Sequence, residues 1–202
     1  KTVRESRVRI WDQLSKQLLD LSVSGIWTPE RDKFAVFLPY FQTRNYALLR
    51  QDLSESLATP EAFLAEGQRK VGVVKSFKHG PTYDAWLQRL RDQHRVVDLA
   101  DFDTAVRMFK LGRVDALLAL PTSLTHLLLQ AGLQHQIKVM DWAPKERLVH
   151  SLIVSRQRVS EADRERLGAT LQAMQADGSL EQIFKRHVGE RLAQDMRFTE
   201  AP

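Results

Sequence analysis

Between residues 70 and 140 short apolar runs alternate with stretches of helical period, and no other feature constrains the fold as strongly. Strands are expected at 70–75, 95–99, 114–120 and 136–140. Tyr83, Trp86, Leu87 and Leu90 share one side of a helix over 81–91, and Ala105, Val106 and Phe109 one side of a helix over 102–111. A third helix is expected over 122–129. Strands alternating with helices of this length imply an α/β fold, a mostly parallel sheet flanked by helices.

The flanking segments are consistent with that class. Val8, Trp11, Leu14 and Leu18 recur at spacings of three and four, which marks an amphipathic helix over 5–17. An apolar strand over 18–24 follows. Thr28-Pro29-Glu30-Arg31 then reads as an N-cap, a proline at the first helical position and a charged first turn. Residues 35–38 and 45–50 read as extended. The polar stretch 51–59 is the candidate domain boundary. A strand is expected over 147–154, and helices beyond Ser160, interrupted at Gly178. Segments 14–21 and 109–117 both run from a helix end through a polar turn into a strand carrying an aspartate, Asp20 or Asp115, as two lobes of similar build would.

Composition narrows the function classes. The 202 residues permit one large domain or two small ones. Without cysteine there is neither a disulfide nor a thiolate metal site. The net charge of +5 comes from cations scattered among 25 acidic residues, with no basic run, so nucleic acid is not an expected partner. The longest apolar stretches, 117–120 and 127–129, fall far short of the roughly 20 residues of a membrane span. No apolar signal-peptide core stands in the first 20 residues. Phosphate-binding, dinucleotide and serine-hydrolase motifs are missing, and no two of the six histidines form a metal-binding pair around a glutamate. Glu30, Asp84 and Glu146 are acids that nothing in the sequence pairs.

Two strand–turn–helix corners carry possible chemistry. At 22–31 a strand ends in small residues, where backbone approaches a ligand closely, and a helix start with Arg31 follows. Free N–H groups and an arginine fork suit a carboxylate. At 71–83 a second strand leads through Lys78, His79 and Gly80 into a helix start, the position where open α/β sheets bind ligands. Trp27 and Trp142 stand near strand ends, where an aromatic lines a cleft or joins the core.

In order and spacing these pieces resemble the family 3 extracellular solute-binding proteins, which have the type 2 periplasmic-binding-protein fold. The carriers are Leu19-Asp20-Leu21 running into Ser24-Gly25 and Thr28-Pro29-Glu30-Arg31, then Pro39-Tyr40 before Tyr46-Ala47-Leu48-Leu49. Lys70-Val71-Gly72-Val73-Val74, Gly112-Arg113-Val114-Asp115-Ala116 and the closing Gly178-Ser179-Leu180-Glu181-Gln182-Ile183-Phe184 complete them. The resemblance implies two α/β lobes, one from 1–48 and 147–202 and one from 49–146, joined by crossing strands near 45–50 and 141–149. It implies a non-enzymatic role, with solute bound between lobes that close on a hinge. Arg31 matches the arginine that holds a ligand carboxylate, with Ser24 and Thr28 nearby. Trp27, Lys78, His79 and Thr122 complete the expected binding set. No cofactor or metal is implied. The implied partner is a membrane permease for ABC-type uptake or the remainder of a receptor, and the implied location is the periplasm. Family members begin with a further strand, loop and helix, so the N-terminal lobe is expected to be incomplete. An effector-binding fragment of a transcription regulator and a dehydratase-like enzyme share the fold and are the alternatives.

Three features, two single positions and one loop, depart from the amino-acid-binding pattern. Ile26 and Leu120 stand where a hydroxyl residue and an ammonium-pairing aspartate are usual. Lys78 and His79 lie in a lengthened loop where a small hydroxyl residue is common. An apolar residue cannot satisfy a buried cation, so a carboxylate-bearing or neutral solute is expected rather than a zwitterion.

Overall fold

The computed structural model describes residues 2, 5–124 and 132–199. In chain order its strands are β1 (Leu21–Gly25), β2 (Ala35–Thr43), β3 (Tyr46–Arg50), β4 (Val71–Val74), β5 (Val96–Leu99), β6 (Ala116–Ala119), β7 (Ile137–Met140) and β8 (Leu148–Ser155). The helices before β8 are α1 (Arg7–Ser15), α2 (Pro29–Asp32), α3 (Pro60–Glu66), α4 (Pro81–Asp92) and α5 (Phe102–Lys110). After β8 come α6 (Glu161–Ala176), α7 (Ser179–Val188) and α8 (Glu190–Asp195). The chain divides into two compact units, residues 1–43 with 147–202 and residues 44–146.

The second unit is built on the sheet β5-β4-β6-β3-β7. β4 pairs in parallel with β5 and β6, with α4 and α5 in the crossovers. β3 runs antiparallel to β6 and β7. Alternation along β3 sends Ala47 and Leu49 into one apolar layer with Phe63, Tyr83 and Leu90, and Leu48 into the other with Val106, Phe109 and Leu133. A strand covered on both faces is apolar at successive positions, as Ala47-Leu48-Leu49 is. Residues 44–48, expected in the first lobe, belong to the second unit, where Tyr46–Leu48 open β3.

Helix starts follow their cap chemistry. Asp101 accepts from the Thr104 N–H at 2.7 Å and opens α5. Thr59 accepts from the Ala62 N–H at 3.2 Å and opens α3, which Gly67 ends at φ 88. α3 directly follows the stretch read as a boundary. Its cap, Thr59-Pro60-Glu61, repeats the Thr28-Pro29-Glu30 signature, so the signal was present in the sequence.

The first unit holds the sheet β1-β8-β2, and both of its pairings are antiparallel. This corrects the expectation of a mostly parallel sheet in each lobe; among the described strands, parallel pairing is confined to β5-β4-β6. The reason is connectivity. β1 and β2 run in the same direction, and β8, returning from the other half of the chain, inserts between them in the opposite sense. β2 runs through Pro39 because it is an edge strand, and its register shifts between Pro39 and Phe41. Leu14, Ala35 and Ile153 form the core, fully buried, with Trp11 and Phe37 against it. α6 packs on β2 and α7 on α6. Among the described residues no helix is long and apolar enough to cross a membrane. The expected helix over 122–129 is described only to Leu124, and its remainder lies outside the described residues.

Candidate functional site

In the first unit the polar groups gather where β1 turns into α2. The β1–β8 register shifts between Ser22 and Gly25, and Ser24 sits in this irregularity with φ 56. A left-handed serine costs about 1–2 kcal/mol. Its N–H donates to the Tyr40 hydroxyl at 3.2 Å, and its Oγ lies 3.2 Å from the same oxygen. Gly25 is explained by packing rather than by approach to a ligand: a Cβ there would overlap the Ile153 side chain.

Thr28 caps α2, its Oγ1 accepting from the Arg31 N–H at 3.3 Å. That bond corrects one expectation. The N–H groups of this helix start were read as an anion cradle, but α2 is a single turn of four residues and the Arg31 N–H is already taken. One turn aligns too few peptide dipoles to hold an anion. The charge at this corner resides in side chains instead. Arg31 lays its guanidinium over the Trp11 ring, 3.9 Å from the centroid, and donates from Nη1 to the Ile26 carbonyl at 2.9 Å. Arg7, which the sequence reading did not single out, donates from Nη1 to the Val23 carbonyl at 2.9 Å. Both are half-buried. Burial lowers the pKa of each, and the charge of Arg7 lowers Arg31 further against the opposing pull of Glu30. Two arginines thus donate to carbonyls at one corner, Arg31 to Ile26 and Arg7 to Val23 at the end of β1. Trp27, beside them, is 54% exposed.

In the second unit the corresponding corner joins β4 to α4. Lys78 is exposed. His79, expected beside it as a ligand group, is 3% exposed. Its N–H donates to Asp84 Oδ1 at 3.1 Å, its Nδ1 lies 3.5 Å from the same oxygen, and its carbonyl accepts from Asn45 Nδ2 at 3.0 Å. Burial opposes ionisation of Asp84, but hydrogen bonds from the His79 side chain and N–H hold its carboxyl below the usual range. Ser76, Lys78, His79, Asp84, Gln88 and Arg91 line a polar recess of about 210 Å³. The start of α4 is occupied: the Thr82 N–H donates to Glu146 Oε1 at 2.8 Å. Thr122 is half-buried in the helical turn after β6, and the Leu120 carbonyl accepts from the Ser123 and Leu124 N–H groups at 2.9 and 3.0 Å. Trp142 is a core residue, stacked on Tyr83 with its Nε1 donating to the Ala58 carbonyl at 2.7 Å. Arg44 holds Asp141, Nε to Oδ2 at 3.0 Å.

Two α/β units with the chain passing out after β2 and back before β8 define the two-lobed, type 2 periplasmic-binding-protein fold. The chain is similar to a solved ancestral arginine-binding protein bound to glutamine, at 22% identity and a TM-score of 0.73, over 94% of this chain and 80% of that one. An amino acid ABC transporter substrate-binding protein from Streptococcus pneumoniae, bound to L-arginine, matches at 18% identity and 0.72, over 96% of this chain and 76% of that one. A histidine kinase sensor domain with similarity to periplasmic binding proteins matches at 16% and 0.71, over 91% and 75%. At these identities the likeness establishes the fold. No family model and no curated protein matches the sequence.

Proposed function

We propose that this protein captures a small, carboxylate-bearing solute outside the cytoplasm, either for ABC-type uptake through a membrane permease or as the sensing part of a receptor. The observation that carries the reading is the pair Arg31 and Arg7, tethered to the Ile26 and Val23 carbonyls at the end of β1, with the indole of Trp11 against Arg31. Arg31 supplies a planar fork for a carboxylate, which a lysine's point charge does not. Arg7 adds a second positive charge to the same corner. Ser24 and Thr28 offer hydroxyls beside it, and exposed Trp27 an apolar surface for the rest of the solute. Lys78 and Thr122, at strand ends of the second unit, remain in the proposed set. His79 stays in the set as well, its N–H and carbonyl held by Asp84 and Asn45 so that the ring is fixed at the recess. The fold supports the reading, since solved proteins of this shape hold glutamine or L-arginine.

A thermal-shift screen against L-amino acids, dicarboxylates, aromatic acids and amines tests it. A solute at a hundredfold over its dissociation constant stabilises the protein by about 2.7 kcal/mol. The expected hit is a carboxylate whose shift disappears in Arg31→Ala. A panel in which only amines bind, or in which Arg31→Ala leaves the best carboxylate unchanged, would sink the proposal.

A further inference from the structure

A helix of 12 residues begins at Pro81, and its first N–H groups favour an anion. Gly80, the N-cap, contributes no side-chain hydrogen bond to them. The acceptor comes from the other end of the unit: Glu146 Oε1 takes the Thr82 N–H at 2.8 Å, across 64 residues of chain. Two further features fit that placement. The Glu146 N–H donates to the Ala143 carbonyl at 3.0 Å, closing a turn that aims the side chain. Gly80, at φ 98, clears the approach, since a Cβ on it would run into the Glu146 carboxylate. The neighbouring Tyr83 hydroxyl has its pKa pushed up to about 12, first by burial and then by the charges of Asp141 and Glu146.

We infer that Glu146 is a resident anion at the α4 N-terminus and a specificity-determining residue, because it denies that N-terminus to the carboxylate of any solute. The helix end that an α/β corner offers to a ligand anion is already neutralised from within. This rests on the proposed carboxylate-binding function only for its consequence: a solute carboxylate is confined to Arg31 and Arg7 and gains nothing from α4. The occupancy of the helix start stands without that reading. Glu146 is also the last residue of the second unit before the chain returns to β8. The contact thus fixes the end of that unit to the very corner where Lys78 stands.

The test is an amide NMR titration of the intact chain with sodium acetate at constant ionic strength. In wild type the Thr82 amide should resonate downfield and move little with acetate. In Glu146→Ala it should move upfield, and acetate should return it saturably, with an apparent affinity at least about tenfold tighter than in wild type. An unchanged Thr82 amide in Glu146→Ala, or equal acetate responses in the two proteins, overturns the inference. Should the alanine variant not fold, Glu146→Gln keeps the volume and removes the charge. It should move the Thr82 amide upfield, and no movement is equally fatal. Arg31→Ala should leave the Thr82 response intact while abolishing carboxylate-dependent thermal shifts, so the two proposals fail separately.

Discussion

His150 lies face to face with Phe41, their ring centroids 4.5 Å apart and their planes 15° from parallel. The two are register partners across β8 and β2, and His150 is 2% exposed. Burial first, and the nearby charge of Arg7 second, lower its pKa from the ordinary 6.5 to about 4, so the imidazole is neutral in the folded protein at pH 7. Between those values the unfolded chain binds a proton that the folded chain does not. The stability associated with neutral His150 is fully present above pH 6.5 and is lost as the pH falls towards 4, by about 3 kcal/mol in total. Urea titrations at pH 7 and pH 4 should show that loss, and His150→Leu should show a drop smaller by roughly that amount. Parallel pH dependence in the two proteins would exclude the assignment.

Arg95 is expected to be a major stabilising residue of the second unit. It is 3% exposed and donates to the carbonyls of Phe63 at 2.7 Å, Leu64 at 2.6 Å and Arg69 at 2.8 Å. The first two belong to the last turn of α3, whose terminal carbonyls have no acceptor role within the helix, so a buried cation closes that helix. Arg95→Met should cost about 2–4 kcal/mol, because three carbonyls lose a charged donor. Arg95→Lys should recover only part of this, since one ammonium cannot span the fork. Chemical denaturation at pH 7 measures both; a methionine variant within about 0.5 kcal/mol of wild type contradicts the role.

Gly25 is reserved for Ile153. Its missing Cβ is the space taken by a fully buried isoleucine in the adjacent strand. Gly25→Ala should destabilise by about 1–3 kcal/mol through overpacking. Ile153→Val alone should cost about 1 kcal/mol. Combined, they should cost less than their sum, because the smaller side chain makes the room the new methyl needs. Strict additivity would mean that the two positions do not share the space.

The solute should be a carboxylate without a free α-ammonium. Leu120 gives such a group no anion, while Arg31 and Arg7 suit the carboxylate alone. An ammonium desolvated without a partner costs at least a few kcal/mol, a loss of about a hundredfold or more. Calorimetry should therefore rank a dicarboxylate or aromatic acid above glutamine, histidine, arginine and glutamate. Arg7→Met should weaken the best carboxylate by about tenfold while leaving the fold's thermal midpoint nearly unchanged in its absence. Submicromolar binding of an unmodified amino acid would overturn this ranking.

What the sequence determined by itself is what a few neighbouring residues can decide. The 2- and 3.6-residue periods placed β4 to β7, α4 and α5 of the second unit, and Thr28-Pro29 and Ser160 marked helix starts that the structure caps with those very side chains. α3 was equally legible through Thr59-Pro60 but was masked by the polar residues ahead of it. The tertiary structure alone decided which strands pair: β8 enters between β1 and β2 and sets Val154 against both Leu21 and Val36, partners so distant along the chain that no local pattern specifies them.

 Arg7 joins Arg31 at the end of β1, Glu146 reaches the start of α4, and Asn45 and Asp84 hold His79 for the same reason. Local propensity depends on residues a few positions apart. Strand pairing, burial and the field at a charged group depend on distant segments that only the packed chain brings together.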